Sequence, residues 1–113
     1  MSKKYSVKLT PHAVVQIRET IAYIAKVLLV PETAKAWAEH LEKEIGGLYV
    51  FPERYPKADR EPWRSKGYRR MAVKNFLVYY FVDDENKTVW VTAVIYAKRD
   101  RLSALKEMPF GEG

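Results

Sequence analysis

Tyr5-Ser6-Val7-Lys8-Leu9 alternates apolar and polar side chains, as a strand with one buried face does. Thr10-Pro11 then supplies a helix start: a hydroxyl to accept from free N–H groups, followed by a proline where a missing N–H does no harm. Val14, Ile17, Ile21, Ile24 and Leu28 recur at spacings of three and four, one apolar stripe along a first helix. Pro31-Glu32-Thr33 interrupts that stripe and opens a second one, Ala34, Ala38, Leu41, Ile45 and Leu48, with Trp37 beside it. So short a connection makes the two helices an antiparallel hairpin. Gly46-Gly47 weakens the last turns and Phe51-Pro52 ends them.

Residues 52–67 carry Pro52, Pro56 and Pro62 among charged side chains and read as a loop. Beyond Gly67 the period changes to that of strands. Tyr68–Val73, a tight Lys74-Asn75 connection and Phe76–Val82 form a hairpin, and Asp83–Lys87 turns the chain into a third strand, Thr88–Tyr96. Phe76–Val82 is almost wholly apolar and is therefore expected in mid-sheet, covered on both faces. Lys98-Arg99-Asp100 opens a polar tail with a possible short C-terminal helix to Lys106, and residues from about 106 to 113 are expected to be flexible. The order β-α-α-β-β-β specifies a two-layer α+β fold: a helical hairpin packed on a mainly antiparallel four-stranded sheet, in a single domain spanning 1–113.

Composition narrows the chemistry. The chain has 113 residues, no cysteine and two histidines, His12 and His40. Thiolate catalysis, disulfides and cysteine-based metal centres are excluded, and neither a metal site nor a cofactor site is expected. The longest strongly apolar run, Phe76 to Val82, is far below the roughly 20 residues of a membrane span. Met1-Ser2-Lys3-Lys4 leads into no apolar secretory core, so a cytoplasmic location away from membranes is expected.

Charge is concentrated. The formal net charge is +6, from 20 basic and 14 acidic residues. Residues 57–82 hold seven of the basic side chains (Lys57, Arg60, Arg64, Lys66, Arg69, Arg70 and Lys74) against two acidic ones. Lys98, Arg99 and Arg101 return at the end of the last strand, where a meander brings them towards the same region. Tyr55, Trp63, Tyr68, Phe76 and Tyr96 are interleaved with these cations. Cations and aromatic faces suit single-stranded nucleic acid, and they equally suit an acidic protein segment. The plain alternative is a solvated basic loop. Arg69 and Arg70 are adjacent on a strand, so only one of them can face a given partner. His12, His40 among glutamates, and Asp83-Asp84-Glu85 read as surface positions and an acidic turn. No phosphate loop, nucleophile elbow or metalloprotease helix is present.

Several strings, taken in order, resemble the RelE/ParE superfamily of toxins from type II toxin–antitoxin modules, which stabilise plasmids and arrest growth. They are Leu9-Thr10-Pro11-His12-Ala13, Tyr23-Ile24, Pro31-Glu32-Thr33-Ala34, Leu48-Tyr49-Val50-Phe51-Pro52, Gly67-Tyr68-Arg69-Arg70-Met71-Ala72-Val73-Lys74-Asn75-Phe76-Leu77-Val78-Tyr79-Tyr80 and Val94-Ile95-Tyr96-Ala97-Lys98-Arg99-Asp100. The resemblance implies a cytoplasmic toxin with an acidic or amphipathic antitoxin partner. It also implies one of two targets: DNA gyrase, inhibited by ParE-like members, or ribosome-bound mRNA, cut by RelE-like endoribonucleases through attack of the ribose 2′-OH on the adjacent phosphate. In a RelE-like enzyme, Arg69 or Arg70 with Lys98 and Arg99 would hold the phosphate and Tyr96 would move a proton. In either case Arg64, Lys66, Arg69, Arg70, Lys74, Lys98, Arg99 and Arg101 are the expected target-binding residues. Two departures favour the gyrase branch. Leu77 stands where RelE-like sequences carry a central-strand arginine, and Leu102–Lys106 has neither the tyrosine nor the histidine found near their carboxyl ends. A third possibility is a binding module without toxicity.

Overall fold

The computed structural model describes residues 4–96 apart from positions 28 and 75. Strand β1 (Ser6–Leu9) leads into helix α1 (Pro11–Ala22), which continues as one π-helical turn (Tyr23–Val27). Helix α2 (Pro31–Gly46) follows, then two 3₁₀ turns, Gly47–Tyr49 and Pro52–Arg54. Strands β2 (Arg69–Val73), β3 (Phe76–Asp83) and β4 (Thr88–Tyr96) complete a four-stranded sheet of order β1-β4-β3-β2. The meander is antiparallel and β1 lies parallel to β4, a pairing that the intervening helical crossover permits. This is the expected two-layer α+β arrangement. The positions expected for a short C-terminal helix and for a flexible tail lie outside the described residues. Among the described residues no helix is long and apolar enough to cross a membrane.

Local sequence explains the helix positions. The Thr10 hydroxyl accepts from the Ala13 N–H at 3.2 Å, and the Thr10 N–H donates to Val91 O at 3.0 Å, so the same residue caps α1 and ties it to β4. The α2 stripe is buried at Ala34, Trp37, Leu41 and Ile45, and continues to Leu48 in the following turn. On α1 the buried face is centred differently from the stripe. Ala13 and Gln16 are buried within the helix and Ile24 beyond it, while Val14, Ile17 and Ile21 are half-buried. The cause is a register shift between β3 and β4 at Tyr79/Tyr80, which leaves Thr92 without an opposed partner residue. Gln16 Oε1 accepts from the Val94 N–H at 2.8 Å, and the Thr92 hydroxyl donates to Tyr79 O at 3.2 Å. A polar residue thus occupies the middle of a helix–sheet interface because the bulge frees backbone groups that need partners.

Strand β3 lies between β4 and β2 and is covered on both faces. Towards the helices, Phe76, Val78 and Tyr80 join Met71, Val73, Val89, Val91 and Val94 beneath Ala34, Trp37, Leu41 and Ile45. On the opposite face Tyr79 joins Ala93 and Ile95 under Ala58, Trp63 and Tyr68, with Leu77 and Phe81 half-buried at the margin. That second cover is the proline-containing segment before β2. The expectation of a loop there is met, yet the segment is also a third, irregular layer of the fold.

Candidate functional site

The basic loop is pinned at both ends. Ala58 N–H donates to Tyr68 O at 2.8 Å and Arg70 N–H donates to Pro56 O at 3.0 Å, so the loop begins by pairing against the first residues of β2. Between these ends the chain makes a compact turn in which Arg64 N–H reaches Arg60 O, Lys66 N–H reaches Pro62 O and Tyr68 N–H reaches Trp63 O. The Ser65 hydroxyl and N–H both donate to the Glu61 carboxylate, at 2.7 and 2.9 Å, and these bonds hold the Glu61 carboxyl below its usual range. Trp63, 3% exposed, is the plug that closes the turn onto the sheet. Lys57, Arg60, Arg64 and Lys66 remain exposed around it. An apolar side chain pointing inward and cations pointing outward make a rigid basic platform.

Strand alternation and register assign the two neighbouring arginines to opposite faces. Arg69 is opposed to Tyr80, on the helix side, and its Nη1–H donates to Tyr55 O at 2.7 Å. Arg70 is opposed to Tyr79, on the loop side, and forms an ion pair with Asp59 at 3.2 Å. Arg64 Nη1–H donates to Ala58 O at 3.3 Å. Lys74 is exposed in the β2–β3 turn with a positive φ of 56°. Tyr96 is half-buried at the end of β4, 5.1 Å from the Phe76 ring between centroids. Lys98, Arg99 and Arg101 lie outside the described residues.

The structure therefore brings Arg64, Lys66 and Arg70 to the loop side and places Arg69 and Tyr96 on the helix side. Arg69 stands opposite Tyr80 and Tyr96 opposite Phe76, four residues apart along β3, so about 13 Å of strand separates them. Of the interleaved aromatics, Trp63, Tyr68 and Phe76 are buried, so they serve as core and offer no open ring for a nucleotide base. Leu77 sits on the loop-side face opposite Ala72 and Ile95, at the margin of the Trp63 cluster.

Beside Arg69, Tyr80 donates its hydroxyl to Pro52 O at 2.5 Å. Burial pushes the Tyr80 phenol up to about 12, although the nearby charges of Arg69 and Arg54 pull the other way. Arg54 itself donates to Val50 O and Phe51 O and lies 4.9 Å over the Tyr55 ring. These arginines are structural clips that hold the segment before β2. Among the described residues no three of His, Asp and Glu converge as a metal site would require.

Two features go beyond the sequence expectation. Lys57 and Arg60, counted in the basic segment but not among the expected target-binding residues, belong to the exposed platform. His40, expected on a solvated face, lines a groove of about 340 Å³ whose walls include Ile24, Trp37, Phe76 and Tyr96.

Comparison with known proteins agrees with this architecture. The chain superposes on a chain of the chromosomal ParDE toxin–antitoxin system from P. aeruginosa with a TM-score of 0.68 and 18% identity, covering 84% of this chain and 98% of the other. It matches a chain of the RelBE2 toxin–antitoxin complex from Mycobacterium tuberculosis with a TM-score of 0.56 and 24% identity, over 82% of this chain and 91% of that one. A free-state mutant of the E. coli toxin RelE gives 0.59 and 18%, over 92% and 97% respectively. At these identities the likenesses establish the fold. No curated protein sequence matches the chain. The sequence pattern described as the ParE toxin of the type II toxin–antitoxin system, parDE, matches residues 7–101, and the chain belongs to that family of toxins.

Proposed function

We propose that this toxin arrests growth by inhibiting DNA gyrase, and that the Trp63-anchored basic loop is the surface that engages the target. The observation carrying this reading is the closure of the sheet face that bears Leu77. There an RNA-cleaving relative would need a cation and room for a phosphate, and this chain has an apolar cluster under a pinned loop. Arg70, on the same face, is already paired with Asp59. The residues that would serve a ribosome-dependent endoribonuclease, Arg69 or Arg70 with Tyr96, are divided between two faces or separated along the strand. What remains well presented is a rigid array of exposed cations, which suits binding to an acidic protein surface or to DNA held by one. An antitoxin with an acidic or amphipathic segment would neutralise the toxin by covering its exposed cationic or apolar surface.

The test is a supercoiling and cleavage–religation assay with purified toxin. Inhibition at or below micromolar concentration, relieved by adding the antitoxin, is the expected result. An unaffected gyrase, together with discrete cuts in translated mRNA by primer extension, would overturn the proposal in favour of the endoribonuclease.

A further inference from the structure

The segment before β2 covers only part of the sheet face away from the helices. Its cover ends at Tyr68, whose ring lies 6.0 Å from that of Phe81 between centroids, and at Gly67, where an added Cβ would meet the Phe81 ring at 3.9 Å. Beyond that edge the register sets out one row across the strands. Phe81 on β3 opposes Trp90 on β4, and Trp90 opposes Lys8 on β1. Val7, Leu9, Val89 and Val91 turn to the helices, so strand alternation turns Lys8 and Trp90 to this face beside Phe81. Among the described residues Trp90 belongs to neither apolar cluster, although Val89 and Val91 through Ile95 around it on β4 are all buried. Its indole is half-exposed, Phe81 is half-buried beside it, and exposed Lys8 has its Nζ 5.8 Å from the indole centroid. A large aromatic left open in a strand that is otherwise buried marks a contact surface.

Charge frames the two rings. Lys8 stands at one end of the row. At the other, exposed Lys66 precedes the Gly67-Tyr68 edge, with Arg64 and Arg60 behind it on the basic platform. Across the sheet the order is cation, phenyl ring, indole, cation, over three inter-strand spacings or about 14 Å. Asp83 is the next residue of β3 on the same face, its carboxylate held by the Asn86 N–H and side-chain amide at 3.2 and 2.8 Å. It repels phosphate, so an anionic chain is confined to the path across the strands. We propose that this row binds single-stranded DNA: two successive bases stack on Phe81 and Trp90, while Lys8 and Lys66 take the flanking phosphates. A duplex does not suit the row, because its paired bases are stacked on one another and show no face to the rings. An acidic peptide would use the cations but has no need of two flat rings side by side. The choice of DNA over RNA rests on the gyrase reading, whose target works on DNA, and the row extends the basic platform to the nucleic acid that this target holds.

The test is fluorescence anisotropy of a fluorescein-labelled oligothymidylate of about 10 nucleotides titrated with the purified full chain. Gyrase is absent, so failure here leaves the gyrase reading intact, and failure of gyrase inhibition leaves this binding measurable. Trp90→Ala, shown to be folded by circular dichroism, should weaken binding about tenfold, while Trp90→Phe, which keeps a flat ring, should stay within about threefold of wild type. Lys8→Gln should lower the slope of log affinity against log salt by about 0.7, one phosphate contact. Tryptophan emission should fall on binding in the wild type and fall much less in Trp90→Phe, because Trp37 and Trp63 are buried. Wild-type affinity in Trp90→Ala overturns the proposal, since the cations alone then hold the DNA. So does duplex binding as tight as that of the single strand. Oligouridylate binding tighter than oligothymidylate also overturns it, because the ligand is then RNA.

Discussion

Replacing Trp63 by alanine tests whether the basic loop is a built layer of the fold. Trp63 is 3% exposed and packs among Ala58, Tyr68 and Tyr79 on the face away from the helices. Truncating a buried large aromatic costs about 3–5 kcal/mol, the larger values arising where surroundings cannot collapse into the cavity. Here one wall is the sheet, and the other is held to β2 by the Ala58–Tyr68 and Arg70–Pro56 backbone bonds, so collapse is restricted. The expected loss is therefore about 4 kcal/mol, a large share of the 5–15 kcal/mol typical of whole domains. For a chain of this length the same loss lowers the melting midpoint by roughly 15 °C. Urea unfolding followed by far-ultraviolet circular dichroism gives the free energy without relying on tryptophan emission. Hydrogen exchange then locates the change: the Ala58 and Tyr68 amides should lose protection well before those of Val78 and Val91. A loss below about 1.5 kcal/mol would refute the role assigned to Trp63.

Four further outcomes follow from the same geometry. The double change Arg60→Glu and Arg64→Glu, at exposed positions, should leave urea stability within about 0.5 kcal/mol while raising the toxin concentration needed to inhibit gyrase at least about tenfold. Leu77→Arg buries a guanidinium beside Ile95 and should cost about 1–3 kcal/mol by urea unfolding, with no mRNA cleavage appearing in primer extension. Thr10→Ala removes the cap accepting from Ala13 N–H and should cost about 1 kcal/mol by the same measurement. Tyr80, through burial, and Tyr5, through its hydrogen bond to Asp84, both have phenols raised to about 12. The unfolded chain therefore ionises first, near pH 10, and stability falls as pH rises from 10 to 12. Denaturation midpoints across that range should decline less steeply in the Tyr5→Phe, Tyr80→Phe double variant.

The helices and strands were legible because each has a period. Thr10-Pro11 and Pro31 mark starts that depend on a few adjacent atoms, and the stripe from Ala34 to Leu48 reports a face that any partner layer would bury. Phe76–Val82 announced burial on both sides, but what lay on the second side was not legible. Residues 56–68 carry no regular period, and their burial depends on backbone partners supplied by β2. The same limit applied to the tryptophans. Trp63 was grouped with surface aromatics and is core, whereas Trp90 is half-exposed with Lys8 Nζ 5.8 Å from its ring centroid.

By itself the sequence determined a β-α-α-β-β-β chain without cysteine, carrying its positive excess in residues 57–82, because periodicity, capping and charge are local properties. Tertiary structure alone decided how that excess is divided. Strand alternation sends Arg69 and Arg70 to opposite faces, while contacts distant in sequence give Arg69 to Tyr55 O over 14 residues and Arg70 to Asp59. It likewise decided that Trp63 closes the sheet face bearing Leu77, and that Tyr96 belongs to a groove on the other side. Such outcomes depend on which surfaces meet once the layers pack, information that no window along the chain contains.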